Sequence, residues 1–203
     1  MRSAAHIFPV RLVRNRRRLP LVSDAFSRIA QVSLPGVLFE RASYFAWNDL
    51  TAIEEFRPQA LVGSSNHLLQ LARELAATEN TFPDLDCAVF VLTDFRDSPL
   101  SDRERTALWK AFSMPVYELV LADDGALLAS ECEAQEGWHI EQGVRFSRVN
   151  DQLWFSRRGR QTGTGLIGEI QDEPCPCGRP GQRILNAAID FRDPVRQKLV
   201  FSA

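Results

Sequence analysis

The chain has 203 residues, of which 45% are hydrophobic and 25% charged. These are globular proportions, and they exclude a disordered chain, a collagen and a coiled-coil rod. The length suits one large domain or two small ones. Formal charge is nearly balanced, with 24 basic residues against 26 acidic. Six of the basic ones, Arg2, Arg11, Arg14, Arg16, Arg17 and Arg18, precede Asp24 with no acid among them. A cationic head therefore leads an anionic body. The head lacks aromatic interleaving and glycine spacing, so it matches no nucleic-acid module and nucleic acid is not the expected partner. It reads instead as a solvated helix face that pairs with the acidic body. No apolar run reaches the roughly 20 residues of a membrane helix. The first residues hold no apolar signal core, so no membrane is expected and the cytoplasm is the expected compartment.

In chain order, Pro20 ends any helix begun by the arginine run. Ser23 and Asp24 can cap a short helix through Arg28. Val32 to Phe39 reads as a strand interrupted by Pro35 and Gly36. Asn48 and Asp49 are cap candidates for a helix through Phe56, closed by Pro58. Ala60 to Gly63 is a short apolar strand, and Ser64, Ser65 and Asn66 form a turn and cap. Leu68, Leu69, Leu71, Ala72, Leu75 and Ala76 then follow helical spacing. Cys87 to Leu92 is a second apolar strand. Ser101 and Glu104 have the spacing of a capping box, with Leu108, Trp109, Ala111 and Phe112 as the apolar face of the helix it opens. Pro115 to Leu121 is a third strand. Strands alternating with helices predict an α/β fold, a parallel sheet with crossover helices. After Gly125 the texture changes. Ala126 to Ser130, Arg145 to Val149 and Gln152 to Phe155 read as short antiparallel strands. Gly163, Thr164 and Gly165 read as a glycine-rich hairpin turn rather than a phosphate nest, since no strand-to-helix context follows. The expected organisation is a basic N-terminal segment (1–48), an α/β subdomain (49–125), and a β-rich segment with its tail (126–203).

The cysteines carry the first chemical claim. Four thiols in a cytosolic chain are not a disulfide framework. Cys87 belongs to an apolar run and reads as a small buried hydrophobe. Cys132, His139, Cys175 and Cys177 together make a full tetrahedral zinc set, three thiolates and one imidazole. The Cys175-Pro176-Cys177-Gly178 spacing suits a turn that points both sulfurs one way. The alternative is two unrelated turns with free thiols. Four protein ligands leave no open position, so such a zinc is structural, pinning a β-rich segment that reads as poor in apolar residues. His67 reads as a satisfied histidine near a helix cap, since no nucleophile with a base is legible beside it. His6 falls near the terminus. Trp47, Trp109, Trp138 and Trp154 read as core and loop anchors.

The order Tyr117, Glu131-Cys132, Gly137-Trp138-His139, then Pro174-Cys175-Pro176-Cys177-Gly178-Arg179 resembles the phenylacetate-CoA ligase and coenzyme F390 synthetase branch of the adenylate-forming (AMP-binding) enzymes. Phe56 to Ser65, with Pro58, Leu61 and Gly63, is similar to a strand-to-helix stretch of that family. The resemblance runs from Asp49 to Ile184. It implies the family's second α/β subdomain followed by its β-rich segment, and an ancestral chemistry in which ATP activates a carboxylic acid for transfer to CoA.

The departures from that pattern are systematic. The phosphate-binding loop of the family is not found. Its tyrosine-glycine-x-x-glutamate motif corresponds to Tyr117-Glu118-Leu119-Val120-Leu121, which puts Leu121 at the metal-binding glutamate. The aspartate that would hold the ribose falls on Leu166, and the adenine-lining turn falls near Thr93 and Asp94. The catalytic C-terminal domain has no counterpart before Ala203. Mg²⁺ wants hard oxygen ligands, so neither ATP nor Mg²⁺ is expected as a cofactor and no catalytic residue is assigned. The expectation is a truncated, non-catalytic, zinc-stabilised binding or accessory protein; the alternative is one half of a split AMP-forming ligase. The surface that a missing subdomain would cover, on the sheet side near Val32 to Phe39, implies a second copy or a protein partner.

Overall fold

The computed structural model describes residues 18–19, 28–32, 38–39, 42–78 and 88–190. The early elements are β1 (Arg18–Leu19), β2 (Ile29–Val32), β3 (Leu38–Phe39) and β4 (Ala42–Phe45). They lead into α1 (Leu50–Phe56), β5 (Ala60–Ser64), α2 (Ser65–Thr78), β6 (Ala88–Asp94), α3 (Asp102–Phe112) and β7 (Val116–Leu121). Six strands follow: β8 (Leu127–Ser130), β9 (Trp138–Ile140), β10 (Val144–Val149), β11 (Gln152–Arg157), β12 (Arg160–Gln171) and β13 (Arg183–Ile189). The expected short helix from Ser23, the strand residue Cys87, and His6 lie outside the described residues.

The three apolar strands and their helices fall where the sequence pattern puts them. β4, β2, β5, β6 and β7 lie side by side in that order, all parallel. Every residue of β6 but the last and every residue of β7 is buried, as expected of a parallel strand covered on both faces. One face carries Leu61, Val89, Val91 and Val116 against Leu68, Leu71 and Leu75 of α2 and Leu108 and Phe112 of α3. The other face carries Val62, Phe90, Leu119 and Tyr117, with the Phe90 and Tyr117 rings 5.9 Å apart. Asp49 caps α1 by accepting the Ala52 backbone N–H. Ser101 and Glu104 form the full reciprocal capping box of α3.

Beyond β7 the same sheet continues antiparallel through β8, β9, β13, β12, β11 and β10, making eleven strands in all. The two textures of the sequence are thus two stretches of one sheet, and β2, from the basic N-terminal segment, belongs to the parallel stretch. Nor is the antiparallel stretch poor in apolar residues. Phe95, Val120, Leu128, Trp138, Phe146, Leu153, Phe155, Leu166 and Ile184 form a buried cluster of their own. Phe95, just past β6, meets Phe155 of β11 edge-on at 5.1 Å, which joins the two stretches through an aromatic contact.

Several local expectations are corrected. Arg18 and Leu19 form a strand paired in parallel with Leu38 and Phe39, not a helix face. Val32 and Phe39 consequently belong to different sheets. Trp109 is 57% exposed, on the outer side of α3, because the buried stripe is set by Leu108 and Phe112 and a neighbour of Leu108 is rotated away from it. Gly163 to Gly165 are not a turn. They lie inside β12, where Gly163 pairs with Trp154 and a Cβ there would meet the indole ring at 3.2 Å. Glycine at that position makes room for tryptophan, a cross-strand reason that local composition does not reveal.

Ser101→Ala is expected to lower stability by about 1 kcal/mol through loss of the α3 cap. Trp109→Ser, on the exposed face, is expected to stay within about 0.5 kcal/mol of the parent. Urea unfolding of the two variants beside the parent checks both.

A candidate metal centre

The site is assembled by strand pairing. Cys132 lies two residues past β8, in a chain that turns through Gln135 and Gly137 into β9, where His139 sits. Cys175 and Cys177 lie between β12 and β13. β13 pairs with β9 in a register that sets Arg183 opposite His139 and Ile184 opposite Trp138. The Ile140 backbone N–H also donates to the Gln182 carbonyl. These bonds lay the cysteine turn beside the histidine. Gly137 permits the approach: its φ is +81°, and a Cβ there would lie 2.3 Å from the Ile184 carbonyl oxygen, a position only glycine can occupy.

All four residues named from the sequence meet. Their ligand atoms lie within 4.8 Å of one another. The Cys132 and Cys175 sulfurs are 3.6 Å apart, and the Cys177 sulfur is 3.4 Å from His139 Nε2. A tetrahedral zinc with sulfurs at about 2.3 Å and nitrogen at about 2.0 Å would set these separations at about 3.8 Å and about 3.5 Å. A disulfide would need about 2.05 Å, and the three thiols are free. Cys132, His139 and Cys175 are buried, while Cys177 is half-buried. His139 Nδ1 is buried with no hydrogen-bond partner. Such an orphan carries a desolvation cost.

The surroundings bias the ligands' protonation. Burial, with the Arg179 and Arg183 charges adding, lowers His139 to about 4, so its imidazole is neutral, the form that binds metal. Burial and the neighbouring thiols push Cys132 up to about 12. Burial also opposes ionisation of Cys175, yet hydrogen bonds from the Cys177 backbone and the neighbouring thiols bring that thiol below its ordinary value. A divalent ion reverses such a bias, since it deprotonates coordinating thiols outright.

Charged groups brace the site from both sides. Arg179, next after Gly178 in the turn, donates to Glu141 at 2.6 Å and to Ser130 at 2.9 Å, and Ser130 in turn donates to Glu141. Glu131, the residue before Cys132, takes a two-pronged contact from Arg105 of α3 at 3.0 and 2.8 Å. It also accepts the Glu118 backbone N–H. Sequence reasoning gave no role at the site to Arg105, Glu118 or Glu141, which come from α3, β7 and the residue after β9. The Glu118 carboxylate accepts from the Thr93 hydroxyl, the Leu100 N–H and the Trp138 indole N–H. His67 lies elsewhere, with Nδ1 2.8 Å from the Ser64 hydroxyl at the start of α2.

The positions where the resemblance expects catalytic carboxylates are apolar and buried. Leu121 belongs to the cluster around Phe90 and Tyr117. Leu166 packs with Leu153 and Ile184. Of the acids beyond β7, Asp123 pairs with Arg96 and Asp124 with Arg157.

No family model and no curated protein matches the chain. Solved structures match its fold. A 2-hydroxyisobutyryl-CoA ligase, solved in an open conformation with 2-HIB-AMP and CoA, superposes with a TM-score of 0.63 at 13% identity, covering 78% of this chain and 44% of that one. Coronafacic acid ligase from Pectobacterium brasiliense gives 0.54 at 11% identity, over 80% of this chain and 39% of that one. An anthranilate CoA ligase bound to anthranoyl-AMP gives 0.50 at 12% identity, over 66% and 33%. The likeness is one of fold, to part of each of these three ligases, and the chain spans less than half the length of each. Among the described residues no helix is long and apolar enough to cross a membrane.

Burial pushes the Glu118 carboxyl up to about 7, against the Thr93 hydrogen bond and with the Glu131 charge adding. The folded chain therefore holds this proton to higher pH than the unfolded chain does. That contribution to stability is complete below the ordinary value of 4.5 and is lost as pH rises through about 7. Unfolding free energy is expected to fall between about pH 5 and about pH 8, and Glu118→Gln, which cannot ionise, is expected to flatten the fall. Urea titrations across that range check it, and equal slopes in parent and variant would contradict the assignment.

Proposed function

We propose that the chain is a non-catalytic relative of the adenylate-forming ligases, of the phenylacetate-CoA ligase branch, that binds one structural zinc ion through Cys132, His139, Cys175 and Cys177 and acts as a binding or accessory protein. One contrast carries the reading. The four soft ligands converge within 4.8 Å, whereas Leu121 and Leu166, at the expected carboxylate positions, are built into hydrophobic clusters. A core leucine cannot coordinate Mg²⁺ or hold a ribose hydroxyl. The placement in the phenylacetate-CoA ligase branch rests on the Glu131-Cys132, Gly137-Trp138-His139 and Cys175-Pro176-Cys177-Gly178-Arg179 motifs. Zinc is the metal these donors favour, since three thiolates and one imidazole in a closed tetrahedral set suit it. The ion would tie the turn of 175–178 to the segment between β8 and β9. With a buried cluster of its own, the antiparallel stretch does not need the ion as its sole core, so the metal acts as a local lock. The alternative role, as half of a split ligase, would need the carboxylates that Leu121 and Leu166 replace.

Isothermal calorimetry with Mg·ATP is expected to give no binding, and an ATP–pyrophosphate exchange assay with aryl acids no turnover; micromolar Mg²⁺-dependent binding would overturn the non-catalytic reading. Cys177→Ser is expected to lose the metal and to raise amide exchange at 131–139 and 172–183, with β5, β6 and β7 still protected. Cys87→Ser is expected to keep the metal.

A further inference from the structure

We propose that Cys177 is a peroxide-reactive thiol and that its oxidation unlocks the metal centre. The inference deepens, and rests on, the zinc reading of the same four residues. Accessibility singles out Cys177. Cys132 and Cys175 are buried, and Cys177 alone among the three clustered thiols is only half-buried. It sits on a turn closed by the Gly178 N–H donating to the Cys175 carbonyl. The residue after Cys177 borders open space, for a Cβ at Gly178 would meet nothing within 4 Å. An oxidant arriving from solvent therefore meets this sulfur first.

Two further features fit it for the chemistry. The Arg179 backbone N–H lies 3.3 Å from the Cys177 sulfur and supports negative charge there. The other two sulfurs lie within 4.8 Å, so resolving thiols are already in place. In the first step the Cys177 sulfur attacks a peroxide oxygen. The O–O bond breaks, a sulfenic acid forms, and the departing oxygen leaves protonated, as water or an alcohol. In the second step the Cys132 or Cys175 sulfur attacks the sulfenic sulfur. The S–S bond forms, the S–O bond breaks, and hydroxide leaves as water. The peroxide gains two electrons and the two sulfurs lose them. Where the sulfurs begin as metal-bound thiolates, the two protons come from solvent. One thiolate and His139 remain, a pair too few to retain zinc. Where Cys175 resolves, the turn is released from the segment after β8 and held through the Arg179–Glu141 pair; where Cys132 resolves, the disulfide replaces the ion as the tie between them. A thiol reductant reverses the change.

The test uses the full-length protein, with its zinc content measured first. It is treated with hydrogen peroxide in the presence and absence of dimedone. One zinc released per disulfide is expected, read by a metallochromic indicator. Peptide mapping should join Cys177 to Cys132 or Cys175, and the dimedone adduct should fall on Cys177. Reductant plus zinc should restore the starting state, and Cys177→Ser should lose the disulfide. Zinc retained while peroxide is consumed, a first adduct on Cys132 or Cys175, or disulfides only between chains would each overturn the proposal. A protein that neither carries nor takes up zinc defeats the metal reading separately, and the adduct map then decides the thiol assignment by itself.

Discussion

The pairing of β9 with β13 is the constraint on which the site depends. β9 is three residues long, and its register against β13 decides which way His139 faces. A slip of one residue would turn that side chain to the opposite face of the sheet. Gly137 fixes the register from the other end, since its backbone passes where any Cβ would strike the Ile184 carbonyl. Three ligands thus depend on one short ladder: His139 directly, and Cys175 and Cys177 because their turn leads into β13.

Around that ladder the charged side chains form braces rather than a catalytic constellation. The Arg105–Glu131 contact ties α3 to the residue before Cys132, and the Arg179–Glu141 contact ties the cysteine turn to the end of β9. Both carboxylates are buried, and an unpaired buried charge would be strongly destabilising. Each pair is therefore required once its members are inside, whatever net energy it adds. Glu118 belongs to the same framework: where the resemblance expects a glycine, it gathers donors from Thr93, Leu100 and Trp138, linking β6, the loop before α3, and β9.

Much of this was legible in the chain. The runs of Ala60 to Gly63 and Ala88 to Leu92 are apolar on both faces, and that marks buried parallel strands. The Asp49 and Ser101 caps are local chemistry within three residues. The four metal-site residues stood out because soft ligands are scarce and turn residues surround them. What was not legible is non-local. β9 and β13 have little pattern of their own and are placed by their neighbours, β9 by β8 and β13, and β13 by β12 and β9. Gly163 to Gly165, inside β12, read as a turn because Gly163 answers to Trp154 on another strand. Arg105 and Glu118 look like ordinary members of a helix and a strand until the sheet brings Glu131 beside them. The continuity of the parallel and antiparallel stretches was hidden for the same reason: the β7–β8 pairing leaves no mark in composition.

The account stands or falls on the ion. X-ray absorption at the zinc edge, on protein purified under reducing conditions and loaded with one equivalent of zinc, tests it most directly. The account predicts a four-coordinate centre with three sulfurs near about 2.3 Å and one nitrogen near about 2.0 Å. Zinc that washes out, or that is held by oxygen donors or with fewer than three sulfurs, would contradict it.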